Sequence, residues 1–257
     1  MLKAYEYRIY PNREQREQIV KHIGCARWIY NYALEKRMKA WTTEQKNLSR
    51  FDIQAELPLL KKAEETKWLK EVNSQTLQAS LEHLDKAYTA FFRTKKGFPK
   101  FHSKHKGRQS FSVPQHASLD FKTELITLPK IEPIKVRVHR EFKGKIKTVT
   151  VKQTPTKKYF VSVLVETADE PKVKSKVKEK TTIGLDLGIK DFVVLSTGEK
   201  IANPKILKQY SNKLTKAQRT LSRRTKGSKN REKAKLKVAR VHEKITNTRK
   251  DFLHKLS

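Results

Sequence analysis

The carboxylates of the C-terminal third are the residues best suited to chemistry. Asp186 lies in the apolar segment Ile-Gly-Leu-Asp-Leu-Gly-Ile, where flanking glycines would leave room for a bound group. Mg²⁺ prefers oxygen ligands, and a two-ion site uses several carboxylates to activate water and to stabilise the leaving oxygen of a phosphodiester. One aspartate cannot hold two ions. Asp191 follows the next turn and Glu199 lies in the turn after that, so we interpret both as turn and surface residues.

The strand around Asp186 is compatible with more than one class of protein. Ribonuclease-H-like nucleases place their first metal ligand on such a strand, but sugar kinases and actin-like ATPases use a similar one. An aspartate that only stabilises a turn also fits the pattern. The segment by itself therefore indicates a possible metal ligand and leaves the reaction open.

A second chemical feature is a segment in which cations alternate with aromatic residues. No acidic residue occurs between Asp85 and Asp120. Such a segment suits phosphates and stacked bases, which we favour over the alternative that the aromatics are core and the lysines a solvated face. The cations are Lys86, Arg93, Lys95, Lys96, Lys100, Lys104, Lys106 and Arg108, and the aromatics are Tyr88, Phe91, Phe92, Phe98, Phe101 and Phe111.

The charge of the whole chain indicates a polyanionic partner. Lys and Arg total 59 against 26 Asp and Glu, a net charge of +33 over 257 residues. Residues 1–92 carry +4, residues 93–180 carry +15 and residues 181–257 carry +14. A hydrophobic content of 36% is too high for a disordered basic tail, so we expect folded domains that bind nucleic acid.

The cysteine content and hydropathy limit the class further. Cys25 is the single cysteine, which excludes an internal disulfide framework and a Cys-pair zinc site. No apolar run approaches the roughly 20 residues of a membrane span. We therefore expect a soluble cytoplasmic protein with no membrane partner.

The elements that position these residues begin with a strand and helices. Residues 2–10 predict a strand, and Asn12 with Gln15 predicts a capping box at the start of a helix. Gly24 interrupts the apolar pattern, so a second helix is expected over residues 25–41. The pair resembles a helix-turn-helix motif, but two helices joined near a glycine are common in any helical bundle, so ordinary core packing is the preferred interpretation. Further helices are expected at about 50–62 and 73–93.

The middle of the chain predicts antiparallel strands. Period-two patterns occur at 134–139, 147–153 and 159–166, and Thr154–Lys158 fits a hairpin turn. With the N-terminal strand they predict a small barrel into which the helices are inserted. Residues 168–180 are polar and predict a linker.

The last third predicts a three-stranded meander followed by two long helices joined at Lys226-Gly227-Ser228. Residues 201–257 hold 18 basic residues against three acidic ones, which predicts contact with a nucleic-acid duplex. Apolar residues at heptad-like spacing predict that the helices pack along one seam. The expected seam residues are Leu207, Tyr210, Leu214, Ala217 and Leu221, with Ala234, Val238, Val241, Ile245, Thr248 and Phe252.

Together these motifs resemble the N-terminal two thirds of the TnpB (OrfB-type) proteins, a transposon-encoded family related to type V CRISPR effectors. The resemblance rests on several motifs in one order. They are Tyr7-Arg8-Ile9-Tyr10-Pro11-Asn12, Gly24-Cys25-Ala26-Arg27-Trp28-Ile29-Tyr30-Asn31, Trp68-Leu69-Lys70-Glu71-Val72, Leu77-Gln78, Phe91-Phe92-Arg93, Gly97-Phe98-Pro99-Lys100-Phe101, Gly184-Leu185-Asp186-Leu187-Gly188-Ile189-Lys190-Asp191-Phe192 and Asp251-Phe252-Leu253-His254-Lys255-Leu256.

The resemblance implies an α+β multidomain fold. Residues 1–11 and 97–167 would form a wedge-type antiparallel β-barrel, and residues 12–96 an inserted helical recognition lobe. After the linker at 168–180, residues 181–257 would form part of an RNase H-like (RuvC) α/β domain with a long helical hairpin. Family members bind a guide RNA and cut the paired double-stranded DNA beside a short adjacent motif, using Mg²⁺.

The resemblance also implies roles for individual residues. Asp186 matches the first catalytic aspartate and metal ligand of the family. Arg50, Phe51, Ser74, Gln78 and Ser112 would lie near the adjacent-motif DNA, although packing or capping is an equally good explanation for Ser74, Gln78 and Ser112. The expected contacts to the nucleic-acid backbone are Arg93, Lys95, Lys96, Lys100, Lys104, Lys106, Arg108, Arg219, Arg223, Arg224, Lys229 and Arg231.

The match departs from the family at its C-terminal side. In the family a catalytic glutamate, a zinc ribbon and a final aspartate follow the position of Ser257, so we expect neither bound zinc nor cleavage by this chain alone. Three hypotheses stay open: a piece of an RNA-guided nuclease, a nuclease-dead RNA-guided repressor, and a general nucleic-acid-binding accessory protein.

Overall fold

A computed structural model describes residues 1–94, 96–104, 109–169 and 182–257. The chain divides into two compact units, Met1–Glu170 and Pro171–Ser257. Within the described ranges, no helix has both the length and the apolar character needed to cross a membrane.

The first unit contains a curled antiparallel sheet of seven strands. Its order is β2-β6-β7-β1-β5-β4-β3, so the N-terminal strand lies between β7 and β5. The strands at the two ends, β2 and β3, leave the sheet open, and it forms a half-barrel where the sequence predicted a barrel. The strands are β1 (Leu2–Ile9), β2 (Gln109–Val113), β3 (Ser118–Asp120), β4 (Leu125–Leu128), β5 (Ile131–Arg137), β6 (Lys145–Gln153) and β7 (Tyr159–Glu166).

The predicted hairpin between β6 and β7 is confirmed. Thr154 donates its backbone N–H to the Lys158 carbonyl over 2.8 Å. Lys157 has a φ of 62°, the left-handed conformation that closes this tight turn.

One long helix, α1 (Arg13–Glu44), follows β1. The capping box of Asn12 and Gln15 is present as predicted, but the predicted break at Gly24 is wrong. A glycine inside a helix costs only about 1 kcal/mol relative to alanine. Buried residues recur at helical spacing on both sides of it, among them Ile19, Ile23 and Ala26, so packing on two cores keeps the helix continuous.

Three further helical segments precede α4 (Ser74–Thr94). The region predicted as one helix over 50–62 is two short helices, α2 (Arg50–Ala55) and α3 (Leu57–Lys62), followed by a 3-10 helix at Glu64–Glu71. Pro58 lacks a backbone N–H and is tolerated in the first turn of a helix, which explains why α3 begins there.

Two hydrophobic cores stabilise the first unit, and α1 contributes to both. Its N-terminal half packs in the core of the sheet beside residues such as Phe111 and Val161. Its C-terminal half packs with α2, the 3-10 helix and α4, where Ile29 and Leu77 are fully buried. The helix therefore fixes the helical layer relative to the sheet.

The second unit begins with the predicted meander and continues with the helical hairpin. The strands β8 (Leu185–Leu187), β9 (Asp191–Leu195) and β10 (Lys200–Ala202) lie in the order β10-β9-β8. Helices α5 (Ile206–Ser222) and α6 (Lys229–Leu256) pack around Val241 and Ile245, with Tyr210, Leu214 and Phe252 beside them. Leu207 was predicted in this seam but is half exposed, because its neighbour Ile206 occupies the core instead.

Candidate nucleic-acid interface

The segment that follows α4 is held against α1 by a side chain with two hydrogen bonds. The Asn31 amide donates to the His102 carbonyl over 2.9 Å, and its oxygen accepts the His102 backbone N–H at 2.7 Å. The His102 ring stacks on Tyr30 with ring centres 3.8 Å apart. Burial and the nearby Arg27 guanidinium lower the pKa of His102, which favours the neutral ring in this stack.

Aromatic rings form a continuous cluster at the C-terminal end of α4. Phe98 meets Tyr88 and Phe91 edge-on, with centroid separations of 5.6 Å and 5.4 Å. Phe91 and Phe92 are 5.0 Å apart, and the Arg37 guanidinium lies 4.3 Å from the centre of the Tyr88 ring. Phe92 is 73% exposed and Phe101 is 54% exposed, so both residues are accessible to a ligand.

Exposed cations flank these aromatic residues in the sequence. Arg93, Lys96, Lys100 and Lys104 are exposed, and no ion pair joins them to any residue that the structure describes. Lys95, Lys106 and Arg108, which were predicted to act with them, lie outside the described residues. Unpaired cations beside exposed aromatic rings suit phosphates and unpaired bases.

The residues predicted near the adjacent-motif DNA lie on α2 and α4. Phe51 is 63% exposed, and the Arg50 guanidinium lies 4.7 Å from the centre of its ring. Ser74 and Gln78 are exposed one helical turn apart on α4 and therefore share a face. The Lys61 ammonium donates to the Ser74 hydroxyl over 2.5 Å. These side chains are accessible to a ligand.

Ser112 has a different environment from the other four. It is only 7% exposed, and its hydroxyl lies 3.1 Å from that of Thr150 on the adjacent strand. Those are the surroundings of a packing residue in the sheet.

Asp186 lies in the middle of β8, an end strand of the three-stranded sheet, and is exposed. It pairs with Val194 on β9. Gly188 closes the following turn, and a Cβ at this position would lie 2.9 Å from the Asp191 carbonyl oxygen, so the turn requires glycine. The strand presents the carboxylate to solvent.

Asp191 and Glu199 do not join Asp186. Side chains alternate between the two faces of a sheet, and Asp191 is three residues from Val194, the partner of Asp186. It therefore lies on the opposite face. The Glu199 backbone carbonyl accepts the Leu195 backbone N–H in the turn between β9 and β10, in agreement with its interpretation as a turn residue.

The carboxylates present do not fit a two-metal centre. Among the residues that the structure describes, no group of three or more His, Cys, Asp or Glu side chains could hold a metal ion. Asp186 supplies one ligand, whereas a pair of Mg²⁺ ions needs several. No catalytic step follows from this donor set.

The hairpin of α5 and α6 exposes most of its predicted cations. Arg219, Arg223, Arg224 and Lys229 are exposed around the turn between the two helices. Arg231 is half-buried, and its guanidinium donates to the carbonyls of Leu221 and Arg224 over 3.1 Å and 2.7 Å. It satisfies carbonyls at the end of α5 and so has a structural partner within the hairpin.

Sequence reasoning missed a second group of cations on the same hairpin. Exposed Lys213 on α5 lies with Lys237, Arg240 and Lys244 of α6 around a shallow groove beside Tyr210. The Lys244 ammonium lies 5.7 Å from the centre of the Tyr210 ring. Arg240 and Lys244 follow Lys237 by three and seven residues, and such positions share one side of a helix. This spacing in the sequence could have revealed the basic face.

Two models of one family match separate parts of the chain. The model described as "Probable transposase" (OrfB_IS605) matches residues 160–257. The model described as "Helix-turn-helix domain" (HTH_OrfB_IS605) matches residues 1–46, which here form β1 and the single helix α1. Together the two matches cover more than half of the chain.

Curated relatives match along nearly the whole chain. A Streptomyces pristinaespiralis protein named "Putative RNA-guided DNA endonuclease" is 42% identical over 99% of this chain. The Escherichia coli K12 protein "Putative RNA-guided DNA endonuclease InsQ" is 33% identical over all of it. The chain spans 63% and 62% of the length of these two relatives.

One solved structure has a weak similarity in fold. The chain from "Cryo-EM structure of CRISPR-Cas12f Ternary Complex" matches 95% of this chain with a TM-score of 0.40 and 14% identity, over 59% of its own length.

Proposed function

Because this chain belongs to the OrfB_IS605 transposase family, we propose that it binds a guide RNA together with target double-stranded DNA. The names of its relatives support this proposal, since RNA-guided DNA recognition requires both polynucleotides. In such proteins base pairing reads the target sequence and the protein grips the duplex by its backbone. A net charge of +33 is suited to that division of labour.

The observation that best supports the proposal is the surface at the end of α4. Phe92 and Phe101 are exposed, and so are the neighbouring cations Arg93, Lys96 and Lys100, for which the described residues provide no ion-pair partner. Exposed aromatic side chains are unfavourable in water, and neighbouring like charges repel one another. A bound polynucleotide would cover the aromatic surface and neutralise the cations. Since Asn31 holds His102 on α1, the segment is positioned before a ligand arrives.

The second unit would contact the same nucleic acid through its hairpin. Its exposed cations line both the turn between the helices and the groove beside Tyr210. Phosphate contacts of this kind bind any sequence. We therefore assign the hairpin to the backbone of the RNA–DNA heteroduplex.

The adjacent motif in DNA would be read by the exposed face of α2 and α4. Gln78 can bond adenine through two hydrogen bonds in the major groove, and Arg50 can contact phosphate or guanine. Ser74 lies on the same face as Gln78 and would fix the register of the helix. We leave Ser112 out of this face, since its hydroxyl bonds Thr150 within the sheet.

We further propose that residues 182–257 form part of a RuvC-like domain in which Asp186 would be the first ligand for Mg²⁺. The carboxylate supplies one oxygen donor group, and a metal there would polarise a phosphodiester only with further ligands. Because Asp191 lies on the opposite face, this chain alone fits guided binding better than guided cleavage. A nuclease-dead repressor is therefore the second candidate function.

The experiment that tests the proposal measures the affinity for a target duplex carrying the adjacent motif. The chain is incubated with cognate guide RNA, with a scrambled guide, or with none, and DNA binding is followed by fluorescence anisotropy. We expect at least tenfold tighter binding with the cognate guide. Equal affinity under all three conditions would contradict guided binding and would favour the general accessory hypothesis.

A matched pair of lysine variants tests the proposed surface. Lys96→Gln removes an exposed cation beside the aromatic cluster, and Lys62→Gln removes an exposed cation from the end of α3. We expect Lys96→Gln to weaken binding severalfold and to reduce the salt slope by about one. Equal effects of the two substitutions would show that the surface has no specific role.

A further inference from the structure

A row of four outward residues crosses the middle of the seven-stranded sheet. Lys152 on β6 pairs with Phe160 on β7, Phe160 pairs with Arg8 on β1, and Arg8 pairs with Arg137 on β5. Directly paired residues point to the same face of a sheet. Strand register therefore brings an aromatic ring and three cations together from four strands, of which β6 and β7 form one hairpin while β1 and β5 are distant in the sequence.

Burial shows which face of the sheet these residues occupy. The residues next to them along the strands, including Val151, Val161 and Tyr7, are buried in the core. Side chains alternate along a strand, so the row lies on the opposite, outer face. Arg137 is exposed, and Lys152, Phe160 and Arg8 are half-buried against one another.

The contacts within the row place cations beside aromatic rings. The Lys152 ammonium lies 5.5 Å from the centre of the Phe160 ring, and the Arg8 guanidinium lies 5.0 Å from that of Tyr10. Tyr10 is 46% exposed at the end of β1. Such pairs are worth about 0.5–1 kcal/mol at exposed sites, so a stacked base can displace them.

The charge on this part of the face is strongly positive. Lys135 lies two residues from Arg137 on β5 and extends the same surface. Two acids lie nearby: the Glu6 carboxylate is ion-paired with Lys152, and the Glu124 carboxylate accepts the backbone N–H of Val138, the residue after Arg137. The row therefore complements a polyanion, whereas the aromatic ring at its centre requires an unpaired base rather than a duplex.

We propose that this row, Lys152, Phe160, Arg8 and Arg137, binds single-stranded RNA, with a base stacked on Phe160 and phosphates beside the flanking cations. Three strand spacings of about 4.8 Å separate its ends, so the row spans about 14 Å. Sheets with surface aromatics bind two or three unpaired bases in this way. This inference rests on the proposed function, in which a folded guide RNA presents unpaired nucleotides while the DNA enters as a duplex.

The test compares three short probes of one sequence, which are an eight-nucleotide RNA, the same DNA strand and the RNA duplex. Phe160→Leu keeps an apolar side chain and removes the aromatic ring. We expect it to weaken single-stranded RNA binding about tenfold, a change of about 1.4 kcal/mol within the range for one stacked base, and duplex binding less than twofold. Unchanged RNA affinity, or equal losses for strand and duplex, would overturn the proposal.

A pair of lysines on β6 provides a matched control. Lys152 and Lys147 are each ion-paired to a glutamate, Glu6 and Glu166 respectively, but only Lys152 lies in the row. We expect Lys152→Gln to weaken single-stranded RNA binding severalfold and Lys147→Gln to have little effect. Equal losses would mean that net charge, and not the row, determines the affinity. Equal binding of the DNA strand would reject RNA as the specific occupant.

Failure of this inference can be distinguished from failure of the proposed function. If guide-dependent DNA binding is present but insensitive to Phe160→Leu, the row is not an RNA site and the proposed function stands. If the unsubstituted chain shows no guide dependence, the proposed function itself fails. Thermal unfolding of each variant shows whether a loss of binding reflects a loss of folded protein.

Discussion

At the scale of single residues, Asp186 shows how neighbours determine what a carboxylate can do. Its flanking turn requires Gly188, and its strand presents it to solvent. The other two carboxylates of the meander sit in a turn or on the opposite face. A ligand without partners binds Mg²⁺ weakly, so the residue alone does not give a nuclease.

We therefore predict that this chain does not cleave guided target DNA. The reaction contains cognate guide RNA, Mg²⁺ and a target duplex with the adjacent motif, and products are followed on denaturing gels. Asp186→Asn should leave target affinity within about twofold, because the carboxylate lies outside the proposed contact surfaces. Cleavage that Asp186→Ala abolishes would contradict this prediction.

His22 is a second residue whose environment determines its chemistry. It is fully buried, and its Nδ1 lies 2.8 Å from the Gln18 carbonyl. Its Nε2 accepts the Asn73 backbone N–H at 3.2 Å, which requires the neutral ring. Burial is the main cause that lowers its pKa, and the nearby Lys130 charge adds to it, while the bond to Gln18 acts in the opposite direction.

We predict that the first unit loses stability as the pH falls below about 6.5, the ordinary pKa of histidine. In that range the unfolded chain binds a proton at His22 more readily than the folded chain, so acid favours unfolding. Urea denaturation at pH 7.5 and pH 5.5 measures the effect. His22→Gln should reduce the pH dependence and leave the part due to His83 and His102, whose pKa values burial also lowers, whereas His116→Asn, at an exposed histidine of the same unit, should not reduce it. Equal pH dependence in both variants would contradict this assignment.

At the scale of elements, α1 organises the first unit. One half packs on the sheet and the other half on α2 and α4, so a single helix sets where both layers lie. The same helix holds the basic segment through Asn31. The helix that packs in both cores of the first unit therefore also positions part of the candidate interface.

We predict that Asn31→Ala loosens this segment. The substitution removes two hydrogen bonds to His102, and a net loss of about 1 kcal/mol would raise local opening about fivefold. Limited trypsin digestion with mass spectrometry should show faster cleavage after Lys100 and Lys104. Cleavage after Lys157 in the β6–β7 turn of the same unit should keep its rate. A parallel rise at Lys157 would indicate global destabilisation instead.

At the scale of the whole molecule, the charge is distributed unevenly between parts of the chain. Residues 1–92 carry only +4, whereas residues 93–180 and 181–257 carry +15 and +14. The exposed cations described here lie after α4, on the outer face of the sheet and on the α5–α6 hairpin. That distribution suits several backbone contacts rather than one.

We predict a steep dependence of nucleic-acid affinity on salt. With six to ten phosphate contacts, affinity for an RNA–DNA heteroduplex should fall about 10³- to 10⁵-fold between 50 and 200 mM salt. A titration at four salt concentrations gives the slope. A slope near one or two would mean that few of these cations contact phosphate.

Much of the local structure could be predicted from the sequence because local residues determine it. The capping box at Asn12, the turn at Thr154–Lys158 and the meander after residue 182 depend on residues close together in the chain. The predicted helix break at Gly24 was wrong, because long-range packing outweighs the small free-energy cost of one glycine in a helix. The prediction that Leu207 packs in the α5–α6 seam was wrong for a similar reason. A shift of one residue places the side chain of Ile206 in the core instead.

The sequence by itself determined the charge, the N-terminal strand, the β6–β7 hairpin, the C-terminal meander with its two long helices, the family resemblance and Asp186 as a candidate ligand. Tertiary structure decided which of those residues share a surface. It buried Ser112, gave Arg231 backbone carbonyls as partners and assembled the row around Phe160 from β1, β5, β6 and β7. The physical reason is that strand register and helix packing join residues far apart in the chain, and no local pattern encodes that pairing.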